Sequence, residues 1–196
     1  MFLGKGKFNT LYSLSRETCS LVKETETPLE LHMTMSTTIH EHLSTLYMLT
    51  VEFNLKNIVE LGTWNGESTI ALLEAAKEID GRVTSIDIDS CLEAKKLVKS
   101  LDLEDRWTFI QADDLRVEWN QPIDHLFIDT SHTYEHTIAE LTKYEPFVRS
   151  CGLITLHDIV SWPNVLSAIT QYIHGRKDIK FYKYFNNNGL GVLRKR

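Results

Sequence analysis

An α/β fold with a mostly parallel sheet covered on both faces is the architecture this sequence predicts. Three observations carry it. Short apolar runs alternate with amphipathic stretches from about residue 57 onward. The first run ends in the turn Glu60-Leu61-Gly62-Thr63-Trp64-Asn65-Gly66, which opens directly into helix-like sequence at Ser68-Thr69. Finally, Asn186-Asn187-Asn188-Gly189 separates the last two apolar runs, and an Asn-Gly step is a hairpin signal. Strand and helix in strict alternation make βαβ units, whose strands must be parallel.

The expected strands are 57–62, 82–88, 107–111, 123–129, 152–157, 179–185 and 189–193. The expected helices lie near 66–80, 90–101, 133–149 and 162–175. The result is a three-layer sandwich on a seven-stranded sheet with a C-terminal antiparallel hairpin. Ahead of it, Ile39, Leu43, Leu46 and Thr50 recur at helical spacing, and Thr38 with Glu41 reads as a capping box. Residues 1–35, with Pro28 as a break, read as an N-terminal arm, and 36–196 as one domain.

Composition excludes several function classes. The apolar fraction of 42% and charged fraction of 24% are ordinary for a globular protein. The net charge of −6 argues against a nucleic-acid partner, because phosphate contacts need a basic face. No apolar run approaches a membrane span, and the N-terminus lacks the apolar core of a secretory signal. Cys19, Cys91 and Cys151 are isolated, with no paired metal or redox motif. The expectation is a cytoplasmic protein acting on a small molecule, with an arm able to exchange between subunits of a homo-oligomer.

The first turn carries the most chemical information. Glycines let a ligand approach the backbone, and the helix that follows points free N–H groups at it. A dinucleotide fingerprint would require glycine at 64 and 67, where the chain has Trp64 and Glu67. Asp87 ends the second strand, where a carboxylate accepts both hydroxyls of a ribose, unless it merely caps the next helix. Asp113 and Asp114 follow the third strand, where one of them can accept an adenine amine.

This order of motifs resembles the class I S-adenosylmethionine-dependent methyltransferases, with their Rossmann-like fold. The run Glu60 to Ser68 is most similar to the O-methyltransferase branch that includes catechol O-methyltransferase. Phe127-Ile128-Asp129-Thr130-Ser131-His132-Thr133-Tyr134-Glu135 and Gly152-Leu153-Ile154-Thr155-Leu156-His157-Asp158 resemble the macrocin O-methyltransferase and cephalosporin hydroxylase type. The resemblance covers about residues 35–193. It implies S-adenosyl-L-methionine held by Glu60, Gly62, Thr63, Gly66, Ser68, Asp87, Ala112, Asp113 and Asp129. A non-methylating or non-catalytic S-adenosylmethionine-binding protein on the same fold is the alternative.

Asp129 and Asp158 close the fourth and fifth strands, which should be neighbours. Two carboxylates that close repel unless a cation or proton lies between them. In the catechol-type pattern these positions hold Mg²⁺, which lowers the pKa of the acceptor oxygen. The third ligand of that pattern, an Asn after the second aspartate, is replaced by Ile159. A shell of Asp129, Asp158 and His157 would favour Mn²⁺ over pure oxygen ligation. Adjacent strand residues face opposite sides, so His157 and Asp158 can share an ion only if the strand has already broken. His132 stands where the catechol-type pattern has its general-base lysine. It is the candidate base with Asp129 beside it, or else a cap for the helix at Thr133.

Overall fold

The computed structural model describes residues 27–196. The arm expected over residues 1–35 therefore lies mostly outside the described residues, as does Cys19. The part that is described, Pro28–Thr34, is a short helix (α1) with a capping box of its own. Thr27 Oγ1 accepts the Glu30 N–H at 3.2 Å, and the Glu30 carboxylate accepts the Thr27 N–H at 2.8 Å. Leu29 of α1 joins the main core, so this segment is packed against the domain.

Helix α2 (His40–Glu52) follows. The capping box expected at Thr38 and Glu41 is not formed. The N-cap is Ile39, without a side-chain cap, and the Glu41 N–H is taken by Asn187 Oδ1 at 2.9 Å. A distant amide supplies the cap, which no local pattern encodes.

Seven strands make one sheet: β1 (Asn57–Leu61), β2 (Arg82–Asp87), β3 (Trp107–Gln111), β4 (Ile123–Ile128), β5 (Val148–His157), β6 (Ile179–Tyr184) and β7 (Leu190–Lys195). Their order is β3-β2-β1-β4-β5-β7-β6. The first five are parallel, while β7 runs antiparallel between β5 and β6. The chain reverses order beside β1, and in such sheets ligands bind at the carboxyl ends of the strands flanking that point. The helices between strands are α3 (Glu67–Ile79), α4 (Leu92–Ser100), α5 (Tyr134–Tyr144) and α6 (Pro163–Tyr172). The stretch expected as one helix over 133–149 ends at Tyr144, because Pro146 turns the chain into a single 3₁₀ turn.

Alternation sorts the core into two layers. Ile58, Val83, Phe127, Leu153 and Val192 face Leu43, Leu46, Ile70 and Leu73. Val59, Ile86, Leu126, Ile154 and Leu193 face Leu141, Tyr144, Val165 and Ile169. Each such buried aliphatic side chain contributes about 1.5–3 kcal/mol. Among the described residues no helix is long and apolar enough to cross a membrane.

One polar group interrupts this core. His125 on β4 has no exposed surface and lies 2.9 Å from Thr50 Oγ1 and 2.8 Å from Thr155 Oγ1. Thr50 Oγ1 donates its proton to the Leu46 carbonyl. This assigns the neutral ring as the tautomer in which Nδ1–H donates to Thr50 and Nε2 accepts from Thr155. Burial depresses its pKa to about 3. An unfolded histidine binds a proton near 6.5, so protons favour the unfolded chain as pH falls through 6.5 toward 3. The stability advantage of wild type over His125→Gln should therefore shrink by about 1.4 kcal/mol per pH unit below 6.5. Urea titrations at a series of pH values read this difference.

Candidate active site

The carboxyl ends of β1, β2, β4 and β5 converge on one rim. The Asp129 N–H donates to Leu61 O at 2.9 Å and the Gly62 N–H to Ile86 O at 2.9 Å, so three strands end in register. The chain between Gly62 and Gly66 then turns sharply, with φ of +85° at Gly62 and +91° at Gly66. A Cβ on Gly62 would lie 1.9 Å from the Asp129 carbonyl oxygen, and one on Gly66 2.8 Å from Ala94 Cβ. Both positions need glycine for conformation and for contact.

Beneath the turn sits Glu60. The sequence reading placed its carboxylate against the ligand. The structure places it under the turn, with zero exposure, accepting hydrogen bonds from the hydroxyls of Ser68, Thr69 and Ser85. Burial raises its pKa to about 7, and the three hydroxyls oppose that rise. Glu60 thus ties β1, β2 and the start of α3 together from below, and Ser68 is spent on the same network.

Asp87 performs the matching task from the side. Its Oδ2 accepts the N–H groups of Thr63 at 2.8 Å and Trp64 at 3.1 Å, and its Oδ1 accepts that of Asp89 at 2.8 Å. Burial alone would raise its pKa, but these backbone donors outweigh it and hold it below the usual value. A carboxylate has about four acceptor sites, so room remains for a hydroxylated ligand. The Ala112 N–H donates to Asp87 O at 2.9 Å, which brings Ala112 and Asp113 to the same rim. The Asp113 carboxylate caps Leu115 N–H at 2.9 Å and lies 3.3 Å from Arg116 Nε.

Four ionisable side chains meet on the other side of Gly62. His132 Nε2 lies 2.9 Å from Asp129 Oδ1 and 3.0 Å from Asp158 Oδ2, so one N–H faces two carboxylates. His157 Nδ1 lies 3.2 Å from Asp129 Oδ2 and 3.5 Å from Asp158 Oδ1. The strand alternation that would separate His157 from Asp158 does not apply. β5 ends at His157, and Asp158 turns into the left-handed region with φ +64°. His132 shares that conformation, at φ +56°, and does not cap α5; Thr133 does, accepting the His136 N–H.

Burial would lower the pKa of His132, but the flanking carboxylates raise it to about 9. The same carboxylates outweigh burial at His157 and raise its pKa too. Asp129, which burial would raise, is held below its usual value by the two imidazoles. His157 Nδ1 and Asp158 Oδ1 are buried and make no hydrogen bond. Two carboxylates and the His157 imidazole, with His157 Nδ1 and Asp158 Oδ1 unpaired, are a donor set suited to a borderline divalent cation. Ile159 packs in the core against Gly189 and Gly191 and supplies no ligand.

Two neighbours escaped the sequence reading. His42 is buried, donates its Nε2–H to the Asn186 carbonyl oxygen at 2.9 Å, and packs edge-on against His157. Asn187 O lies 3.3 Å from His157 Nε2, so the terminal hairpin supports a ring of the cluster. The Asn-rich turn was legible as a turn, but its partners were not. Trp162 stacks on His132, with centroids 5.4 Å apart and planes 10° from parallel, and is 50% exposed. It forms an open aromatic wall beside the cluster.

A family model described as a methyltransferase domain matches residues 59–159, more than half of the chain. The chain belongs to this methyltransferase family. Its fold matches solved class I methyltransferase structures. The O-methyltransferase TomG from Streptomyces achromogenes, in complex with S-adenosylmethionine, superposes with a TM-score of 0.69 at 16% identity, covering 99% of each chain. The O-methyltransferase from Bacillus cereus, in complex with S-adenosylhomocysteine, gives 0.65 at 19% identity over 80% of this chain and 81% of that one. Cofactor-bound Rv0187 from MTB gives 0.72 at 14% identity over 100% and 99%. No curated protein sequence matches this methyltransferase.

Gly62→Ala should destabilise the protein by more than about 2 kcal/mol, because it adds both a backbone strain and a collision with Asp129. Chemical denaturation followed by circular dichroism measures it; a loss below 1 kcal/mol, on the order of a surface change, would contradict the packing described.

Proposed function

We propose that this methyltransferase moves the methyl group of S-adenosylmethionine to a hydroxyl oxygen of a small molecule, with a divalent cation held at Asp129 and Asp158. The observation that carries the reading is the convergence of Asp129, His132, His157 and Asp158 beside the Gly62 turn, with His157 Nδ1 and Asp158 Oδ1 left without hydrogen bonds. The complexes of the TomG and Bacillus cereus O-methyltransferases with S-adenosylmethionine and S-adenosylhomocysteine support the choice of cofactor.

The residues present suit both groups. Asp87 and Asp129 are carboxylates held ionised on opposite sides of the glycine turn. The first suits ribose hydroxyls and the second a cationic sulfur. When bound, S-adenosylmethionine supplies an electrophilic methyl carbon on sulfur, and the cation (Mg²⁺ or Mn²⁺) supplies a Lewis acid for the acceptor oxygen. The protein's own work is alignment. Gly62, Thr63 and Gly66 let the methionine part approach the backbone, while Asp87, Ala112 and Asp113 face the adenosine part. Trp162 provides a flat surface for the acceptor, and most of the rate follows from orientation of the oxygen toward the methyl carbon.

His132 takes the acceptor's proton at Nε2. With the charges of Asp129 and Asp158 uncompensated, that nitrogen keeps its own proton up to about pH 9. A cation held by those carboxylates would offset their charge and lower the proton affinity of Nε2, the condition under which His132 would serve as the base.

Titration calorimetry with S-adenosylmethionine and S-adenosylhomocysteine tests the cofactor assignment directly, and no detectable binding of either would refute it. His132→Ala should lower turnover by about 10²–10⁴-fold with cofactor affinity little changed, read as S-adenosylhomocysteine release with hydroxylated acceptors. Unchanged turnover removes His132 from the proton transfer. Asp158→Asn should weaken Mn²⁺ binding by about 10–100-fold, measured by equilibrium dialysis.

A further inference from the structure

A second cluster lies apart from the residues that face cofactor and acceptor. It joins the loop after β3 to the inner face of α5. His136 and Glu140 are one helical turn apart and therefore share a face of α5. Asp114 comes to them from the loop. His136 Nε2 is 3.1 Å from Asp114 Oδ1 and 3.5 Å from Glu140 Oε1. One donor atom from each of the three residues can be chosen so that all lie within 4.8 Å of one another.

The hydrogen bonding around this cluster is incomplete in an informative way. Thr130 Oγ1 donates to Glu140 Oε1 at 2.6 Å. Lys143 Nζ and Tyr144 OH both donate to Asp114, but to its backbone carbonyl. Glu140 is fully buried and Asp114 is 8% exposed, yet Glu140 Oε2 and Asp114 Oδ2 have no hydrogen-bond partner. Leaving a buried carboxylate oxygen unpaired forfeits its hydration with no hydrogen bond in exchange. Two such oxygens beside one imidazole call for a positive occupant.

We propose that Asp114, His136 and Glu140 form a second divalent-cation site, which clamps the loop carrying Asp113 to α5. The donor set of two carboxylates and one imidazole favours borderline ions such as Mn²⁺ over Mg²⁺. His136 is partly exposed and gives the ion a route in. The competing occupant is a proton shared by the two carboxyls, and burial with the charge of Asp114 does push the pKa of Glu140 well above its usual value. A shared proton and a bound ion predict different stoichiometry.

The test uses the full chain, stripped with chelator and dialysed against MnCl₂, with bound manganese measured by elemental analysis. The background is Asp129→Asn with Asp158→Asn, which disables the cluster beside Gly62. In that background the chain should keep one equivalent of Mn²⁺, and adding His136→Ala should remove it. Mn²⁺ should also raise the melting temperature of the double variant and leave that of the triple variant unmoved, since an ion that binds only the folded state stabilises it. His136→Ala changes a partly exposed side chain, and Glu140→Gln provides a second, conservative variant with the same expected loss. If the double variant binds no Mn²⁺, or binds an equivalent that neither change removes, the second site is refuted. If the double variant binds as much as wild type and His136→Ala removes it, the second site stands and only the cation at Asp129 fails.

Discussion

The contact between Gly62 and the Asp129 carbonyl is the constraint on which the site depends. It brings the backbone of the glycine turn against the end of β4 more closely than any residue with a Cβ permits. The glycine turn and the acidic cluster are thereby one rigid rim. Glu60 reinforces that rim from below by gathering three hydroxyls, two from the start of α3 and one from β2, and Asp87 braces it from the side through the Thr63 and Trp64 amides. Glu60 holds side-chain hydroxyls and Asp87 holds backbone amides around the glycine turn. A binding surface assembled in this way has little freedom to rearrange, which reduces the ordering cost when a ligand arrives.

The charge distribution on the rim is arranged in opposed pairs. Each of Asp129 and Asp158 approaches both imidazoles, so neither carboxylate has a single partner. Such a four-membered cluster holds its members in place through mutual attraction in a poorly solvated setting, where each interaction is stronger than in water. The left-handed backbone at His132 and Asp158 is the local expense of bringing adjacent residues to the same side.

Much of the fold was legible in the sequence, since it follows from periodicity. β3 matches its expected span residue for residue, and the other parallel strands differ by one residue at an end, apart from the longer start of β5. The neighbouring of β4 and β5 also followed from chain order. What sequence reasoning missed arises from long-range contacts. The cap of α2 is an asparagine from the last turn, so the local Thr38–Glu41 pattern misled. Glu60 was assigned to the ligand because its position in the motif is visible and its depth is not. His157 and Asp158 could be reconciled only once the end of β5 was known. His42 and His125 gave no signal beyond being histidines, yet both are buried and partnered through residues far along the chain. The Asp114, His136 and Glu140 cluster was similarly hidden, because its loop and helix meet only in three dimensions.

The placement of β7 between β5 and β6 has a temporal consequence. The 185–189 loop reaches back to Thr37, Glu41 and His42 near the front of the domain, and to His157 at the rim. These are among the most sequence-distant pairings in the molecule, and such pairings form slowly because a long loop must close first. During synthesis the glycine turn and the first four strands emerge well before this loop does. The nascent chain thus holds an unfinished rim, with His157 lacking its backing, until nearly all of the domain has left the ribosome.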